Sequence, residues 1–95
     1  MVQVEMYLHE TRCRAPATVE KAILDTRLEL IRALHMFPRA HASPHEGFAI
    51  LKEEVDELWD EVKAKDIDGA RMDRVREEAV QVAAMALRFI IECCG

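Results

Sequence analysis

The stretch REEAVQVAAM, residues 76–85, decides the fold. It opens on acids and runs on as ALRFIIECC to residue 94, without a glycine or proline. At about 100° per residue, Ala79, Val80, Val82, Ala83, Ala84, Ala86, Leu87, Phe89, Ile90 and Ile91 cover most of a helical circumference. Glu78, Gln81, Arg88 and Glu92, with Met85 among them, form a narrow polar strip. One neighbouring layer cannot cover so wide an apolar arc. The pattern predicts a central helix, packed by its own chain on one side and by another subunit on the other.

Working back from there, the turn AKDIDG at 64–69 offers Asp68 as the cap of this third helix, expected to reach about Cys93. Before it, Ser43, Pro44, His45 and Glu46 make a strong helix start. Serine caps, proline takes the first helical position, and glutamate stands where a capping box needs it. This second helix is expected to end near Lys65, with Phe48, Leu51, Val55, Leu58 and Val62 as its buried stripe. Pro38 and Pro44 in FPRAHASPH exclude a continuous helix. A first helix is expected from about Thr18, as N-cap, to Met36, with Ile23, Leu30, Ile31, Leu34 and Phe37 at helical spacing. Arg12 to Ala17 reads as a linker broken by Pro16, and the alternation of Val2, Val4, Met6 and Leu8 with polar residues suggests a short extended arm. The expectation is one all-α domain over residues 1–95: an arm and linker at 1–17, and a helical core of three main helices at 18–95.

Composition agrees. Half of the 95 residues are hydrophobic but only 5% are aromatic, with three glycines and three prolines, a mix that favours helix. A net charge of −5 with no basic patch argues against a nucleic-acid polymer as partner. Three cysteines, an odd number with Cys93 and Cys94 adjacent, fit a reduced, cytoplasmic protein. No signal peptide is visible, and the apolar run Val82–Ile91, interrupted by Arg88, is too short to span a bilayer.

The second helix carries KEEVDELWDE, residues 52–61, with six acids in ten positions. Its like-charged pairs at spacings of three and four cost together about 1–3 kcal/mol on an exposed helix. A solvated acidic face is the bland account, and a divalent cation would offset the repulsion more strongly than neighbouring Arg or Lys. Glu54 and Glu57 lie three apart, as do Glu78 and Gln81, so each pair shares one side of its helix. Glu54 and Glu78 sit at the margins of their apolar stripes. Antiparallel packing through those stripes would bring the four side chains together, an oxygen-rich set suited to Mg²⁺ or Mn²⁺. Di-iron centres need Glu-x-x-His, and no histidine follows any of these glutamates at that spacing.

EEVDE (Glu53, Glu54, Glu57), a spacer, then EAVQ (Glu78, Gln81) resembles the EExxE…ExxD signature of MazG-like nucleotide pyrophosphohydrolases, in the all-α NTP pyrophosphatase superfamily. The likeness spans roughly His45 to Ile91. It implies a bundle that assembles as a homodimer or homotetramer, and Mg²⁺-dependent cleavage of a nucleoside triphosphate to the monophosphate and pyrophosphate. Glu54, Glu57 and Glu78 match the family's metal ligands. Glu53 matches the first acid of the motif, which orients or deprotonates the attacking water. Lys52, Lys63, Arg74 and Arg88 are candidates for phosphate charge.

Gln81 departs from the pattern, which has aspartate there. Its amide oxygen can still coordinate Mg²⁺, more weakly, and its nitrogen can donate to a phosphate. The alternative is a non-catalytic oligomeric bundle that keeps the fold around a weakened site. Among the remaining signals, His35, His41 and His45 have irregular spacing for zinc and read as loop residues, Trp59 as core or interface, and Cys93 and Cys94 as structural thiols.

Overall fold

The computed structural model describes residues 16–95, all of them helix, turn or irregular chain; the expected N-terminal extended arm lies outside the described residues. Helix α1 spans Pro16–Met36, α2 Pro44–Lys63 and α3 Arg71–Phe89, continued by a π-helical turn at Ile90–Cys94. The three expected helices are all present, with altered ends. Pro16, expected to break the chain, instead opens α1, where its missing N–H costs nothing. Thr18 therefore lies inside the first turn rather than at the cap.

Ser43 caps α2 as expected: its backbone is extended and its hydroxyl accepts from the Glu46 amide at 3.2 Å. Glu46 reaches one residue further back than a capping box requires, accepting from the Ala42 amide and from Arg39. Asp68 is not the N-cap of α3. That position is Ala70, and Asp68 instead accepts from the Ala70 amide and from Arg74, bracing the turn that Gly69 makes at φ 77°.

Helix α3 packs on both of its neighbours, while α1 and α2 barely touch. Arg74 bonds Glu61, Glu78 lies beside Glu54 and Glu57, and Phe89 and Cys93 lie against Gly47, so α2 and α3 run antiparallel. Asp25 pairs with Arg76 at 2.8 Å and Arg88 reaches the Ala33 carbonyl, so α1 runs parallel to α3. Gly47 permits the close approach of α2 to the end of α3: a Cβ there would lie 2.9 Å from Cys93 Sγ and 3.0 Å from the Phe89 ring.

The core is small: Ala33, Ala84 and Met85, with Leu30, Ile50 and Leu51 packed against it. The expected stripes are therefore only half covered within the chain. Leu51 and Leu58 of α2 turn inward, but Phe48, Val55 and Val62 stay exposed and share a face with Trp59. On α1, Leu30 and Leu34 are partly buried, whereas Ile23 and Ile31 are exposed, as are Leu24, Leu28 and, just past the helix, Phe37. Leu87, Ile90 and Ile91 add a third open apolar face. No helix among the described residues is long and apolar enough to cross a membrane.

Candidate metal centre

Antiparallel packing of α2 on α3 brings Glu54, Glu57 and Glu78 together. One carboxylate oxygen from each lies within 4.8 Å of the others. Glu54 and Glu57 are a turn apart on α2, so both face the seam. Glu54 and Glu78 are half-buried, and Glu57 is exposed. Glu54 Oε2 and Glu78 Oε2 are each buried without a hydrogen-bond partner.

Three carboxylates this close resist ionising together. Burial, then the charges of Glu57 and Glu78 and a hydrogen bond with Glu57, push the Glu54 carboxyl up to about 7. Burial and Glu57 raise Glu78 as well. Without a counter-charge, Glu54 and Glu78 keep their protons to higher pH than free glutamates do. A hard divalent cation would replace those protons, and the donor set fits one: a carboxylate oxygen from each of three residues on two helices, with Glu54 Oε2 and Glu78 Oε2 buried and unpartnered.

Gln81 lies one turn beyond Glu78 and is half-buried. It stands with Glu54 at the wall of a cavity of about 540 Å³, between the C-terminal half of α1, α2 and α3, whose apolar lining includes Phe37, Ile50 and Met85. Glu53 is exposed on α2 and outside the group of three.

The four cations considered for phosphate are held elsewhere. Lys52 pairs with Asp56 and Lys63 with Asp60 on the open surface of α2. Arg74 ties the start of α3 to Glu61 and Asp68. Arg88, 3% exposed, donates to the carbonyls of Ala33, Phe37 and Arg39 and to Glu92. It borders the large cavity, but its guanidinium is an architectural clamp that fixes the chain leaving α1.

Two features escape sequence reading. Glu92 joins this clamp by accepting from the His41 amide at 2.9 Å, with the buried His41 ring 3.5 Å away. Glu29, on α1, lines the large cavity with Glu54 and Gln81. Only the i,i+4 pairing of Glu92 with Arg88 is local; His41 lies 51 residues from Glu92, and Glu29 meets Glu54 and Gln81 only through packing. Among the described residues the histidines join no cluster of metal-ligand type. Cys93 is half-buried near the Ser43 carbonyl, where burial raises its thiol pKa, and Cys94 is exposed. Set against protein-family models, curated proteins and solved structures, the chain has no match.

Proposed function

We propose that this chain is a Mg²⁺-dependent, MazG-like nucleoside triphosphate pyrophosphohydrolase, with Mn²⁺ as a substitute ion, acting in the cytoplasm as a homodimer or homotetramer. The observation that carries it is the convergence of Glu54, Glu57 and Glu78 from two helices, with two buried oxygens left unpartnered. The motif spacing supports the same reading. When bound, the cation neutralises polyphosphate charge and makes its bound water more acidic.

The residues divide the work around it. Glu54, Glu57 and Glu78 would hold the ion, and Gln81 would offer a neutral amide oxygen. Glu53, beside Glu54 on α2, takes a proton from the water that attacks the α-phosphorus as pyrophosphate leaves. Phe37, Ile50 and Met85 give the nucleoside portion an apolar wall within reach of Glu54.

Assembly rests on the open apolar faces. A second copy would cover the Phe48–Val55–Trp59–Val62 face of α2 or the Leu87–Ile90 face of α3.

Gln81 favours one second reading: a bundle that binds nucleotide without turnover. Two measurements separate them. Mn²⁺ calorimetry on the wild type and Glu78→Gln should show saturable binding that the substitution removes. A nucleotide panel with pyrophosphate detection should then show metal-dependent release. Binding without release would support the second reading, and no metal binding with or without nucleotide would overturn both.

A further inference from the structure

Gln81 lies at the wall of two cavities, and so does one acid of α1. Glu29 and Gln81 line the 540 Å³ cavity together with Glu54, and they meet again in a cavity of about 300 Å³ bordered by Asp25, Arg76 and Glu77. Glu29 is only 15% exposed, and Arg32 of the same helix grips its carboxylate at 2.6 and 2.9 Å. That i,i+3 pair is local to α1. It ties no helix to another, so the fold has little need of an acid at 29.

A fourth carboxylate beside three mutually repelling ones is unfavourable without a cation. Glu29 reaches the cluster's surroundings through the cavity wall that it shares with Glu54 and Gln81. The cluster also has oxygens waiting for a partner, since Glu54 Oε2 and Glu78 Oε2 are buried and unbonded.

We propose that Glu29 supplies, from α1, the negative charge that Gln81 does not, so that the metal centre is built on three helices rather than two. The inference rests on the metal reading above. Glu29 lies outside the group of three and is a positioning residue: from the cavity side its carboxylate would offset part of a bound cation's charge. Position 81 is thereby free to carry an amide, facing the same cavity with a donor as well as an acceptor.

The test is a Mn²⁺ titration followed by electron paramagnetic resonance, on the full chain at one pH. It compares wild type, Glu29→Gln, Glu29→Asp, Gln81→Asp and the Glu29→Gln/Gln81→Asp double variant. Loss of an outer carboxylate should weaken binding by about 10–100-fold in Glu29→Gln. Glu29→Asp keeps the charge and should stay within about tenfold of wild type, tighter than Glu29→Gln. Gln81→Asp should tighten binding, and in the double variant it should return affinity to within about twofold of wild type. Equal binding by wild type and Glu29→Gln would overturn the role of Glu29 while leaving the metal centre intact. A double variant as weak as Glu29→Gln would overturn the compensation. A wild type that binds no Mn²⁺ would overturn the metal centre itself, and this inference with it.

Discussion

Replacing Glu54 with glutamine should make the metal-free protein more stable at pH 8 and leave it unchanged at pH 4. The folded Glu54 carboxyl is pushed from 4.5 to about 7 by burial and by Glu57 and Glu78. Between those values the unfolded chain releases the proton and the folded chain keeps it, so stability falls as pH rises through this window. Above it the full penalty applies. The shift corresponds to about 3 kcal/mol, reduced to roughly 2 kcal/mol because solvent reaches the site from the exposed Glu57 side. Glu54→Gln keeps the shape and removes the charge. At about 4–8 °C per kcal/mol for a domain of this size, the variant should melt roughly 10 °C above wild type at pH 8. The assay is thermal unfolding by circular dichroism in chelator, at fixed protein concentration, from pH 4 to pH 8. The difference between the two proteins cancels the titration of groups remote from Glu54, and leaves that of Glu54 with its effect on Glu57 and Glu78. A wild type and variant that lose the same stability over this range would refute the reasoning, because Glu54 would then ionise as freely folded as unfolded. Saturating Mn²⁺ at pH 8 should reverse the order, stabilising wild type above the variant.

Arg88→Met should destabilise the fold by about 3–5 kcal/mol in urea unfolding, because Glu92 is left buried without its cation and three carbonyls lose a donor; a loss below 1 kcal/mol would mean the clamp is dispensable. Gly47→Ala should cost about 1–2 kcal/mol net in the same assay, since a Cβ presses on Cys93, Phe89 and His41 despite the gain in helix propensity. Trp59→Glu should shift the protein to a smaller species in sedimentation; an unchanged mass would place any self-contact on another face.

The helices were legible because their signals are local. Ser43–Pro44–Glu46 marks the start of α2 without reference to anything else in the chain. The wide apolar arc of α3 pointed to cover from this chain on one side and from another subunit on the other; within the chain α3 packs on both neighbours. Glu54, Glu57 and Glu78 were legible for a related reason: helical spacing fixes which side chains share a face, and only the packing direction had to be supplied. Burial was read less well. Periodicity identifies an apolar face but not whether this chain or another covers it, which is why Val55 and Ile31 stand exposed on stripes expected to be inside. Arg88 was one of four cations among which the sequence did not choose, and its carbonyl partners at 33, 37 and 39 carry no sequence signature. Glu29 was silent for the same reason, being one acid on an ordinary amphipathic helix until α3 is packed beside it.

The Arg88 clamp also gives α1 two unequal ends. At its C-terminal end the guanidinium sits against the carbonyls of Ala33 and Phe37, where a positive charge also suits the helix dipole. At the other end residues 18–24 are all exposed, and the Asp25–Arg76 pair is the first ionic tie to α3. Amide hydrogens along this one helix should therefore exchange on very different clocks, within moments near Val19 and far more slowly near Phe37. The wall of the large cavity belongs to the slow end, so a ligand arriving there meets a surface already in place while the opposite end of the same helix frays and reforms.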